Sequence, residues 1–197
     1  GPVVVYYLLT GQSVRGIVRN GPGGRRAFDR LATLYAAFEG QPNAPLLPRP
    51  VAYVPGLSLV VVEPLPEGLR VSELLATSRG SEVVQQVAHA AAAFHHAPVH
   101  FDPSHVPDRD LTELQRRLES LRTSHPEWSR RTAVLAQAVQ QRRRQVRARF
   151  APVLGVLHPR HLVCVGERIG LSDADRITCA HPFIDVGDFI AHVISMG

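Results

Sequence analysis

The side chains able to do chemistry are unevenly spread along this chain. Of its 197 residues, 22 are basic and all of these are arginine, giving a net charge of +5 with no lysine anywhere. That excludes a phosphate loop of the Walker type, which places a lysine ammonium on the nucleotide phosphates. Arg142, Arg143, Arg144, Arg147 and Arg149 form the main basic feature. Such runs are usually solvated helix faces. As a binding surface, this one is expected to take a protein or acidic peptide through Arg142, Arg143, Arg144 and Arg147. Nucleic acid is not expected, because no aromatics interleave with the arginines and no nucleic-acid module is present. His158 and His161 stand at i, i+3, a spacing usable by zinc, but they belong to no full zinc motif, so a structural role is expected. The two cysteines, Cys164 and Cys179, match no disulfide, zinc or redox pattern and predict a reducing, cytoplasmic setting.

The elements that must position these residues change character along the chain. Residues 3–9 (VVVYYLL) and 13–19 (SVRGIVR) are β-branched and aromatic, with Thr10-Gly11-Gln12 between them, and predict a hairpin. Asn20-Gly21-Pro22-Gly23-Gly24 breaks the pattern. Phe28, Leu31, Leu34, Tyr35 and Phe38 then recur at helical spacing up to about Glu39. Residues 40–50 hold four prolines and predict a loop. Val51–Val54 and Leu57–Glu63 predict a second hairpin turning at Pro55-Gly56, followed by the stiff connector Pro64-Leu65-Pro66-Glu67-Gly68. Beyond it, helices are predicted at 71–76, 82–96, 110–124 and 128–150, and short strands at 162–165 and 169–171. Asp110 with Glu113, ahead of the Leu111/Leu114/Leu118/Leu121 stripe, reads as a capping box rather than as a catalytic loop. No apolar run is long enough to span a bilayer, and Gly1-Pro2 reads as a cloning scar rather than a targeting segment.

One stretch carries a resemblance. Leu154-Gly155-Val156-Leu157-His158-Pro159-Arg160-His161-Leu162-Val163 is followed by Gly170-Leu171-Ser172-Asp173-Ala174-Asp175-Arg176, then by Pro182 to Ile194 with Asp185. This resembles the aminoglycoside/choline phosphotransferase family, whose pattern is H-G-D-x-x-P-x-[NH]-x-L, a short hairpin, and I-D-F-D. The resemblance implies an α+β, protein-kinase-like two-lobe fold. A small β-rich lobe is expected over residues 1–66 and a mainly helical lobe over 67–197. By the same alignment the chain starts at the family's second strand and stops soon after Asp185, so the fold is expected to be truncated relative to the family.

The resemblance further implies metal-side positions at His161, Asp173 and Asp175. It also locates the departures. The family's histidine is Leu154 and its catalytic aspartate is Val156, which can neither accept a proton nor orient a hydroxyl. The strand lysine falls at Ile17 and its helix partner near Leu31, so an apolar pair replaces an ion pair without leaving a buried charge unpaired. Arg15 and Arg19 share the strand face of Ile17 and are the candidates for nucleotide phosphates. His95 is expected to be a core hydrogen-bonding residue. The resulting expectation is a degenerate phosphotransferase-like pseudoenzyme that binds a protein or peptide, in a biosynthetic or peptide-maturation complex. No catalytic residue and no cofactor are expected on that reading. The alternative is a phosphotransferase with a rewired site, acting on a small-molecule or peptide hydroxyl with ATP and Mg²⁺.

Overall fold

A computed structural model describes the chain except residues 1–2, 10–11, 19–22, 102–115, 117, 146–149 and 197; the side chains of residues 3–9, 12, 129–131, 143–145 and 175 also lie outside the description. The N-terminal elements run β1 (Val3–Leu9), β2 (Gln12–Val18), α1 (Gly23–Phe38), β3 (Arg49–Val54) and β4 (Leu59–Glu63). This is the β-β-α-β-β order that the hydrophobic periodicity predicts. The four strands form one antiparallel sheet in the order β1-β2-β4-β3. In the central pair, Ile17 stands opposite Val60 and Arg15 opposite Val62. Pro50 lies on the edge strand β3, where its missing N–H costs no ladder bond to a further neighbour, and the register shifts beside it.

Helix α1 covers this sheet with Ala27, Leu31, Leu34 and Phe38 buried at helical spacing. It ends where Gly40 takes a left-handed conformation at φ 73°. The Phe38 ring meets Phe94 of α3 (Gly80–His95) at a centroid separation of 6.1 Å. A single core therefore runs from Ile17, Leu31, Val60 and Val62 through Val83, Val87 and Phe94 to Leu162, Ile169 and Leu171. Burying each such side chain is worth about 1.5–3 kcal/mol.

After the connector come β5 (Leu69–Arg70), α2 (Val71–Leu74), α3, helical residues 118–124, α4 (Pro126–Gln145), β6 (Ala151–Val153), β7 (Leu162–Val165), β8 (Arg168–Leu171), β9 (Thr178–Ala180) and α5 (Phe183–Met196). Strands β5, β7 and β8 form a three-stranded sheet, and β6 pairs with β9. Three of these strands, β5, β6 and β9, escape the periodicity because two- and three-residue strands carry no readable alternation. Helix α2 is shorter than the predicted 71–76. Phe150 is not helical, and the predicted capping box at Asp110 and Glu113 lies outside the described residues.

The proline-rich loop is not a free excursion. Leu46 bridges to β8, its N–H donating to the Ile169 carbonyl and its carbonyl accepting from Leu171 N–H, both at 2.9 Å. The connector packs as tightly. A Cβ on Gly68 would collide with the Cys164 carbonyl, and one on Gly170 would lie 2.7 Å from Leu65. Among the described residues, no helix is long and apolar enough to cross a membrane.

Candidate functional site

The geometry of the site follows from one hairpin. Strands β7 and β8 pair with Leu162 opposite Leu171, and the turn closes at Gly166, φ 61°. The residues just outside that first pair are thereby set side by side. Ser172 locks them there, its backbone N–H and its hydroxyl both donating to the His161 carbonyl, at 2.9 and 2.8 Å. As a result His161 Nδ1 lies 3.2 Å from Asp173 Oδ2.

From the opposite side, β2 sends Arg15 across. Its Nη1 donates to the Ser172 carbonyl at 3.1 Å and its Nη2 to Asp173 Oδ1 at 3.3 Å. Arg15 is largely buried, with 14% of its side chain exposed. The pair stands in a cavity of about 440 Å³ between β2, the connector and the β7–β8 hairpin. Its charged and titratable walls are Arg15, Arg70, Arg160, His161, Glu67 and Asp173.

A second cluster fixes the loop that carries Val156. Asp185, in the first turn of α5, is fully buried yet completely bonded. Its Oδ2 accepts from Leu154 N–H and its Oδ1 from Gly155 N–H, both at 2.9 Å. His95, at the end of α3, places Nε2 3.0 Å from Oδ2. Gly155 has φ 73°, a conformation glycine reaches without a Cβ penalty. His95 is thus a core hydrogen-bonding residue, and its partner is Asp185.

Downstream in the same loop, His158 Nδ1 accepts from Arg160 N–H at 3.0 Å. Its ring lies 3.8 Å from that of His192 on α5, while His192 Nε2 reaches Asp188 at 3.4 Å. Burial first, then the neighbouring His192, His161 and Arg160, hold the His158 pKa below its ordinary value, with Asp188 opposing them.

The residues singled out from the sequence fare differently. Asp173, His161 and Arg15 converge. Ile17 does not line the cavity; it is 2% exposed and belongs to the same core cluster as Leu31. Arg15, two residues earlier on the same strand face, reaches the cleft instead, its guanidinium bonding the Ser172 carbonyl and Asp173. Val156 is half-buried and also absent from the cavity wall. Arg142 is exposed on α4. Arg19, Arg147 and the side chains of Arg143, Arg144 and Asp175 lie outside the described residues.

A divalent cation is what the family pattern implies for His161, Asp173 and Asp175; the side chain of Asp175 lies outside the described residues, and the described pair His161 and Asp173 fits such an ion poorly. Mg²⁺ takes oxygen ligands in near-octahedral geometry. Here one donor is an imidazole, and the two Asp173 oxygens already face the Arg15 guanidinium and the His161 ring. Among the described residues, no group of three or more His, Cys, Asp or Glu side chains converges on a metal position.

Comparison with known proteins defines the architecture. Neither family models nor curated proteins match the sequence. Solved structures do. A choline/ethanolamine kinase family protein from Mesorhizobium loti superposes with a TM-score of 0.69 at 13% identity, over 98% of this chain and 64% of its own. The fold is that of the aminoglycoside and choline phosphotransferases. A GDP complex of a mutant aminoglycoside 2′-phosphotransferase-IIIa gives 0.70 at 13% identity, over 98% and 72%. The streptomycin–ATP complex of APH(2″)-IIa gives 0.56 at 12% identity, over 93% and 69%. The chain therefore spans about two thirds of the length of the structures it resembles.

Proposed function

We propose that this chain is a nucleotide-dependent phosphotransferase with a rewired site, acting on a hydroxyl acceptor of a small molecule or peptide. The observation that carries the reading is the Arg15–Asp173 pair, which joins β2 to the end of β8 across a cavity beside the connector. Two structures of this fold hold GDP and ATP. Phosphoryl transfer asks the protein mainly for positioning and charge stabilisation. A buried guanidinium offers planar donors to phosphate oxygens. The loop through Leu154 and Gly155 is held rigidly by Asp185 and His95. Val156 supplies no general base, which costs about a hundred- to ten-thousand-fold, so turnover is slow.

The test is ADP release from purified protein with ATP and a panel of alcohols, aminoglycosides and Ser/Thr peptides. The reading expects slow turnover that disappears in Arg15→Gln. Failure to bind any nucleotide contradicts it.

A second reading has its own observation. The sequence pattern sets Val156 where the family has its base and Ile17 where it has its lysine, and Ile17 is sealed in the core. A pseudoenzyme that binds a protein or peptide accounts for both. Nucleotide-independent capture of a partner, lost on charge reversal at Arg142, would favour it.

A further inference from the structure

We propose that the cleft binds nucleotide phosphates without a divalent metal, with Arg15 supplying the positive charge that a metal would otherwise bring. The inference rests on the nucleotide-binding reading above. It starts from how Asp173 is used. Arg15 Nη2 lies on one of its oxygens at 3.3 Å and His161 Nδ1 on the other at 3.2 Å. An incoming cation would meet a fixed guanidinium on one side and an imidazole on the other.

Two further atoms point the same way. Arg15 Nε and His161 Nδ1 are buried without a hydrogen-bond partner among the described residues, the latter being in ion-pair range of Asp173 but off the hydrogen-bond direction. A buried donor left unbonded costs about 1–3 kcal/mol, and native structures rarely keep one without a reason. A guanidinium N–H can only donate, so Arg15 Nε is complementary to an anionic oxygen and not to a metal. Arg70 and Arg160 add two more guanidinium groups to the cavity wall, and Arg70 Nη1 is held towards the hairpin by the Arg160 carbonyl at 3.4 Å. Three arginines against Glu67 and Asp173 leave the wall net positive before His161 is considered. Asp173 then acts as the positioning residue that aims Arg15, rather than as a metal ligand.

The experiment is calorimetric titration of the whole chain with ATP, once in EDTA and once in excess Mg²⁺, for the wild type, Arg15→Gln and Asp173→Asn. Thermal unfolding of each variant confirms that it folds. Metal-free binding within about threefold of that in Mg²⁺ is expected. So is a loss of about tenfold or more in Arg15→Gln, as for removal of a charge-assisted bond. Asp173→Asn, which loosens the aim of Arg15, should weaken ATP binding by a similar factor in EDTA and in Mg²⁺, because the carboxylate acts on Arg15 and not on a metal. Binding that requires Mg²⁺ and collapses in Asp173→Asn overturns the inference while keeping the nucleotide reading. No binding in either buffer overturns both.

Discussion

Two carboxylates in this molecule lie in motifs that resemble one family pattern, and their surroundings are opposite. Asp185 is buried, and every contact it makes is internal: two backbone N–H groups of the Leu154–Gly155 loop and the His95 ring. Asp173 is a quarter exposed on a cavity wall, between an arginine and a histidine that each keep a buried nitrogen with no hydrogen bond among the described residues. The first site is saturated and the second is not. A saturated network stabilises one loop conformation and has nothing left to offer a ligand. An unsaturated one in a cavity has donors to spend on an incoming group.

This contrast can be broken most easily at its rigid end. Asp185→Ala removes three bonds at once and leaves two loop N–H groups and His95 unpaired. We expect a loss of about 3–5 kcal/mol, read by chemical denaturation. A loss below about 1 kcal/mol would mean that the loop does not depend on Asp185.

The next effect separates the two strand positions of β2. Ile17→Lys puts an ammonium into the apolar core and should cost about 3 kcal/mol or more, without improving nucleotide affinity. Tolerance of lysine there would place residue 17 at the cleft and undo the assignment of Arg15. Gly155→Ala is a smaller perturbation of the same loop, costing about 1–2 kcal/mol because φ 73° disfavours a Cβ. An unchanged denaturation midpoint would show that the loop does not need that conformation.

The smallest effect is one of pH. His158 has its pKa lowered in the folded chain, so the unfolded chain binds the proton more readily. Stability is therefore at its full value above the unfolded histidine pKa of about 6.5 and falls as pH drops towards the folded value. His158→Asn should flatten the dependence of the melting temperature between about pH 7 and 5. An unaltered slope would assign it to other histidines.

Much of this was legible in the residues themselves, and the reason is local. The β-β-α-β-β order follows from the β-branched and aromatic runs at 3–9 and 13–19, the apolar runs at 51–54 and 57–63, and the helical stripe Leu31, Leu34 and Phe38. The approach of His161 to Asp173 follows from the motif's short hairpin. Other features needed the third dimension. Alternation puts Arg15 and Ile17 on one face, but only the packing of α1 against the sheet decides which of them is sealed. His95 and Asp185 lie 90 positions apart, and no spacing rule connects them. The Leu46 bridge to β8 sits in a loop whose prolines predict nothing beyond irregularity.

Nucleotide occupancy of the cavity beside Arg15 and Asp173 is the central claim, and hydrogen–deuterium exchange of the whole chain with and without ATP tests it most directly. ATP is predicted to slow exchange in residues 65–70 of the connector and β5 and in residues 160–173 of the hairpin, and to do so far less in Arg15→Gln. Exchange left unchanged there at saturating ATP, or protection confined to α4, would contradict the account.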